Sequence, residues 1–233
     1  MNRMIFALAL CAAPLLATNA SADRLQLSEA RCVNPHTSPQ DRLAACQTYA
    51  NDGTVGSDKR NTQYALAHAY RLTGDYTNAE KTITALIASQ PQWVNGYLER
   101  STIYAEDGKY DLAMADIATI ASLNGEPALV SMQRCWVRGV AAKELDAGLT
   151  DCSDALKAYP TSASVLLARA LVNYKRGDNA AAAADATSAL ADKPKLAGAL
   201  YLRGRAKGSA DDIAGAKDYE PYIGDEFAGY GVK

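Results

Sequence analysis

One interval recurs along this chain and limits what it can fold into. Gly74-Asp75-Tyr76 and Gly108-Lys109-Tyr110 are 34 residues apart, and Gly177-Asp178-Asn179 follows the second after 69, two periods with one extra residue. Pro91, Pro160 and Pro194 repeat the measurement with gaps of 69 and 34. Tyr70 and Tyr104 keep the 34-residue step, as do Ala79 and Ala113; Ile83, Ile117, Cys152 and Ala186 continue it with one step of 35. The missing glycine falls at Lys143-Glu144-Leu145, a turn without its Gly. A fixed period of this length marks stacked supersecondary units.

Local chemistry explains the unit. Asn61 to Leu72 carries Tyr64, Ala67 and Tyr70 at three-residue steps, which predicts a helix. Gly74 supplies the left-handed conformation that ends it. Thr77 to Ser89 places Ala79, Ile83, Leu86 and Ile87 on one face of a second helix, and a Pro just beyond cannot continue it. Small residues recur where the two helices meet: Ala67, Ser101, Ala170 and Gly204 on first helices, and Ala79, Ala113, Gly148 and Ala182 on second ones. One such pair cannot bury its apolar face alone, so neighbours must stack.

Composition removes several function classes. The chain has 233 residues, 24 basic and 26 acidic side chains and 48% hydrophobic residues, too apolar and too weakly charged for a disordered chain. No basic excess exists to neutralise phosphates, which argues against a nucleic-acid partner. Met1 to Ala22 has a basic start, an apolar run from Ile5 to Ala17 and an Ala20-Ser21-Ala22 end, the parts of a secretory leader cleaved after Ala22. The run is shorter than a membrane span requires, so no span is expected after cleavage and the location is periplasmic or secreted. Cys11 leaves with the leader. Cys32 and Cys46 lie 14 apart and Cys135 and Cys152 lie 17 apart, two local pairs that fit disulfides in an oxidising compartment. A zinc site would want cysteines two to four residues apart or His partners.

The chain resembles the tetratricopeptide-repeat family, whose unit of about 34 residues carries these small, Tyr, Gly-Asp-Tyr and Pro positions. The match spans four units, 60–93, 94–127, 129–162 and 163–196. It is preceded by a helical cap and loop over 23–58 and followed by a degenerate fifth unit and cap over 197–233. Asp41 to Cys46, Arg134-Cys135-Trp136 with Asp151-Cys152, and Phe227 to Val232 are similar to segments of secreted alphaproteobacterial members. Pro39 to Ala50 reads as one helix with Leu43, Cys46 and Tyr49 inward, and 51–59 as a loop. Pro194 to Pro221 is only 27 residues, so the last pair is contracted, with Tyr219, Tyr222, Ile223 and Phe227 packing back onto the fourth unit.

The resemblance implies an all-α, right-handed solenoid whose first helices line a concave groove. Its groove positions map onto three rows. The first holds Tyr64, Leu98, Gln133, Leu167 and Tyr201, the second His68, Thr102, Val137, Leu171 and Arg205, and the third Arg71, Ala105, Val140 and Tyr174. The Lys and Asn cluster with which some members grip a carboxylate is not matched. An apolar, Tyr-bearing groove with Arg71 and Arg205 as charges toward its ends suits a peptide or protein segment.

Catalytic motifs do not appear. There is no His-Glu-x-x-His, Gly-x-Ser-x-Gly, Ser-x-x-Lys or Gly-x-Gly-x-x-Gly, and Gly53 to Lys59 lacks the ending of a phosphate loop. Asp116, Asp151 and Asp185 recur on second helices and read as helix-tying carboxylates rather than acid–base pairs. No cofactor or metal is expected. The reading is a non-catalytic scaffold or adaptor. The alternatives are an obligate subunit of a cell-envelope or secretion assembly and an accessory domain supporting a separately encoded hydrolase.

Overall fold

The computed structural model describes residues 13–52, 59–123 and 125–232. The expected leader lies outside the described residues as far as residue 12, and so does the expected loop over 53–58. Two helices come first, α1 (Ala13–Val33) and α2 (Pro39–Ala50). Eight more follow as consecutive pairs: α3 (Lys59–Leu72) with α4 (Tyr76–Ser89), and α5 (Val94–Glu106) with α6 (Tyr110–Ser122). Then come α7 (Pro127–Ala141) with α8 (Leu145–Ala158), and α9 (Ala163–Lys175) with α10 (Asn179–Asp192). The described chain closes with α11 (Ala197–Lys207), α12 (Ala210–Tyr219) and a short α13 (Ile223–Gly229). No described residue is in a strand, and the first helix of each pair packs on its partner and on the next pair.

The turns show why the period holds. Gly74, Gly108 and Gly177 sit at φ of 76°, 74° and 81°, and the next residue's N–H donates back to the carbonyl of Tyr70, Tyr104 or Asn173. That is the closing bond of a left-handed helix end, which glycine adopts without steric cost. Asp75 and Asp178 then cap the following helices, accepting from the N–H of Asn78 at 3.1 Å and of Ala181 at 2.9 Å. In the third pair Ala142 takes the same place at φ 51°, with Lys143 N–H donating to Arg138 C=O at 3.1 Å. Glu144 is a second left-handed residue there, at φ 49°. The extra residue of the 35-step therefore lies in this turn, after α7.

Packing between paired helices uses the small positions. Ala67, Ala79, Ala113, Cys135, Cys152, Ala170, Ala182 and Ala186 are fully buried, and Ile83, Ile103, Ile117 and Leu171 belong to one continuous apolar core. Each such large side chain stabilises by roughly 1.5–3 kcal/mol through area removed from water. Recurrent ion pairs tie the helices. Arg100 holds both oxygens of Asp116 at 2.6 and 2.8 Å, Arg134 holds Asp151 at 2.9 Å, and Arg169 holds Asp185 at 2.5 and 2.9 Å. Arg203 does the same for Asp212 at 2.6 and 2.7 Å. The acidic positions are structural, as the sequence suggested.

Both cysteine pairs are bonded, Cys32 to Cys46 across α1 and α2 and Cys135 to Cys152 across α7 and α8, with Cα atoms 4.7 and 5.3 Å apart. Among the described residues no helix is long and apolar enough to cross a membrane. The C-terminal end departs from expectation. Gly208 and Ser209 make a tight turn and α12 is short, as the contraction required. Tyr219, however, is exposed, and beyond Pro221 α13 folds back along the first helices until it meets α3 at the far end.

Candidate functional site: a concave face half filled by the chain itself

The first helices α3, α5, α7, α9 and α11 present one continuous face, and α13 lies on part of it. Phe227 packs on Tyr201 with the two rings tilted by 48° and their centroids 5.3 Å apart, and Tyr230 meets Trp136 edge-on at 5.1 Å. Gly198 of α11 makes room for this: a Cβ there would stand 3.1 Å from the Phe227 ring. Gly231, at φ 70°, turns the backbone so that Val232 N–H donates to Phe227 C=O at 2.9 Å. Ile223, Phe227, Tyr230 and Val232 are all buried.

At the α3 end the contact is ionic. Arg71 is buried and donates from Nε to Glu99 Oε1 at 3.1 Å, from Nη1 to Glu106, and from Nη2 to Glu226 Oε1 at 3.3 Å. Its Nη1 also donates to the Tyr230 hydroxyl at 3.3 Å, and that hydroxyl donates to Glu226 Oε1 at 2.6 Å. His68 Nδ1 lies 3.2 Å from both Glu99 Oε1 and Arg71 Nη2, and the Tyr64 hydroxyl donates to Glu99 Oε2 at 3.2 Å. Two buried carboxylates, Glu99 and Glu106, and the half-buried Glu226 thus share one guanidinium. Burial raises each carboxylate, and the cation decides which of them escapes. At Glu99 burial is outweighed by Arg71 and His68, which bring it down to about 2. At Glu226 the same two groups outweigh burial and lower it. Glu106 goes the other way, pushed up to about 7 by burial, which the opposing pull of Arg71 does not cancel.

Beside this polar end the face is open. A cavity of about 280 Å³ is walled by Tyr64, Leu98, Met132, Trp136, Leu167 and Leu196, with Thr102 and Glu99 also on its lining. Its walls come from four successive first helices and from the residue before α11. Tyr64 is steadied from behind by the edge of Trp93, centroids 5.6 Å apart. Such a cavity can take a side chain or two of an apolar segment.

The expected groove residues divide unevenly over this face. Tyr64, Leu98, Thr102, Gln133 and Leu167 do line the cavity. Gln133 is nonetheless buried, its amide donating to Leu98 C=O at 3.1 Å and Ser101 Oγ at 2.9 Å, so it joins α7 to α5. Val137 and Leu171 are fully buried core residues, and Val140 is buried as well. For α7 the reason is register. Arg100, Arg134 and Arg169 hold equivalent acids, so the residues equivalent to Leu98 and Thr102 are Met132 and Trp136, one before the positions expected. The extra residue sits after α7 and not before it. Arg71 is not a rim charge but the centre of a buried cluster. Tyr201 is covered by Phe227. Tyr174 is half-buried on α9, His68 half-buried beside Arg71, and Arg205 half-buried on α11 with its Nε enclosed. Sequence reasoning missed Met132, Trp136 and Leu196, and the contact of Glu226 and Tyr230 with Arg71. The Arg–Asp spacing was the available signal for the first two: it is 16 residues at Arg100 and Arg169 but 17 at Arg134, which places the extra residue after Arg134.

Paired antiparallel helices at a 34-residue period, turned by left-handed glycines and stacked with one helix of each pair on a common inner face, define a tetratricopeptide-repeat solenoid. The chain has that fold. It is similar to a thermophilic tetratricopeptide-repeat protein of Thermus thermophilus, with 22% identity over 81% of this chain and 97% of that one and a TM-score of 0.61. It is also similar to PilW, a widely conserved type IV pilus biogenesis factor, with 22% identity over 75% of this chain and 77% of that one and a TM-score of 0.50. At these identities the likeness shows the fold. No protein-family model matches the sequence, and no curated protein matches it.

Proposed function

We infer that the protein is a non-catalytic interaction scaffold of the periplasm that receives a segment of a partner protein on its concave face. The observation that carries this reading is the cavity between Tyr64 and Trp136: apolar walls from successive repeats, open beside a helix already seated in the same groove. Leu98, Met132 and Leu167 supply apolar area, and Tyr64 and Trp136 supply rigid aromatic anchors of the kind that dominate protein interfaces. The two disulfides support an oxidising compartment, where such bonds persist. The likeness to a pilus biogenesis factor favours one second reading, an obligate subunit of a cell-envelope assembly.

A photo-reactive residue at position 98, inside the cavity, and another at position 112 test the inference in exported protein. Leu112 lies on α6 and is 48% exposed. The reading expects one partner cross-linked from position 98 and not from 112, with cross-linking at 98 lost in a Leu167→Glu background. Equal capture from both positions, or capture only from 112, overturns it.

A further inference from the structure

The segment that fills the polar end of the groove is seated there as a short separate helix. α13 has seven residues, too short to persist as a helix without its contacts. It is separated from α12 by a break at Pro221. Cavities flank it on both sides: one of about 180 Å³ between His68, Arg42, Glu220 and Tyr222, the other of about 240 Å³ between Tyr76, Glu106, Asp225 and Gly229. A repeat core would be packed through; a segment laid into a pre-shaped groove leaves such gaps at its edges. The seat is nonetheless specific. Glu226 meets Arg71, Phe227 meets Tyr201 over Gly198, Tyr230 meets Trp136 and Arg71, and Val232 is fully buried.

Taking the groove as a protein-binding face, as read above, we propose that its Arg71 end is an interaction site for a short helical segment of a partner protein. That segment carries a carboxylate, aromatic residues one and four positions later and a β-branched residue six positions later, the pattern of Glu226-Phe227-x-x-Tyr230-x-Val232, and the chain's own C-terminal segment fills the site in cis. The chemistry of the occupant follows from the seat. Arg71 and His68 face the carboxylate with Arg42 across the adjoining cavity; Tyr201 and Trp136 each take one ring. A tethered segment is present at a high effective concentration, so a partner of the same pattern must outcompete it. The open cavity beyond Trp136 gives a longer partner additional contacts that the cis segment does not make.

The probe is a fluorescent synthetic peptide of residues 219–233, titrated by anisotropy against the full chain and against a full-length Phe227→Ala/Tyr230→Ala variant. The variant, whose own segment is weakened, is expected to bind the peptide at least tenfold more tightly than the parent. A peptide with Glu226→Ala is expected to lose at least fivefold. If circular dichroism shows the double variant unfolded, a full-length Glu226→Gln chain carries the same comparison. Equal affinity for parent and variant, or no binding to a folded variant, overturns the site. A tail-exchanged dimer of the parent at working concentration overturns the assignment of a separate partner. Failure here leaves position-98 cross-linking untouched, whereas loss of that cross-linking with intact peptide binding rejects the cavity reading instead.

Discussion

The two ends of one groove are built on opposite principles. Around Arg71 the protein buries the guanidinium with the Glu99 and Glu106 side chains and sets the half-buried Glu226 of its own C-terminal segment over them; between Tyr64 and Leu196 it lines the same face with apolar and aromatic groups and leaves it open. Burying charge is costly unless each group is paired, and a single misplaced partner leaves an uncompensated ion. On the proposed reading, that would make the Arg71 end selective in what it accepts. Apolar walls demand less of an occupant's geometry, so the open stretch suits contacts that add area. On the proposed groove-binding function, specificity would lie at the first end and adaptable surface at the other.

The sharpest way to break this contrast is to remove the cation. Arg71→Ala leaves Glu99, Glu106 and Glu226 without their shared partner and should cost about 4 kcal/mol in chemical denaturation. A loss below about 1 kcal/mol would mean that the cluster is not a closed interior. Phe227→Ala should follow at about 3 kcal/mol, near the low end for a buried Phe because α13 can lift away as a unit. Leu98→Ala, in the open stretch, removes a half-buried side chain and should cost only about 1 kcal/mol. If Leu98→Ala costs as much as Phe227→Ala, the cavity is closed and the two ends are alike.

The ionic end should also respond to pH. Glu106 faces Arg71, Glu99, Glu226 and Tyr76, and its carboxyl is held up at about 7 by burial. Between about 4.5 and 7 the folded chain therefore keeps a proton that the unfolded chain has released, so this group's stabilisation falls as pH rises through that window. Glu99, lowered to about 2, works in the opposite sense: its contribution is present above about 4.5 and is lost as pH falls toward 2. The melting temperature should decline from pH 5 to 7.5 in the parent, and the decline should flatten in Glu106→Gln. A parallel decline in the variant would assign the effect elsewhere.

The smallest effect lies away from the groove, at the turns. Ala142 and Gly177 hold the same left-handed place in adjacent repeats. Ala142→Gly should stabilise by about 0.5–1 kcal/mol by relieving strain, and Gly177→Ala should destabilise by about 1 kcal/mol. Equal and opposite failure of the two would show that the turns are not equivalent.

Sequence legibility followed the range of the interactions. The helix pairs, their glycine turns and both disulfides rest on residues close in the chain, and local spacing announces them. The register of α7 is off by one residue in the sequence reading because its turn has no glycine: nothing in Ala142-Lys143-Glu144 marks which residues take the left-handed conformation, so the glycine series alone allows the 35-residue step on either side of the helix, and only the 17-residue Arg134–Asp151 spacing places it after Arg134. Placing it before the helix puts Val137 in the groove and Trp136 in the core. The docking of α13 is less legible still. Arg71 and Tyr230 are 159 residues apart, and a buried arginine looks in sequence like an exposed one. Only the fold brings them together.

The central claim is that the chain's own C-terminal segment occupies the groove, and the most direct measurement is a nuclear Overhauser contact between the Trp136 indole and the Tyr230 ring. With centroids 5.1 Å apart, cross-peaks between the two side chains are expected in the parent and should vanish in Tyr230→Leu while the rest of the α7 spectrum is retained. Absence of those cross-peaks in the parent, with residues 223–232 giving random-coil shifts, would contradict the account.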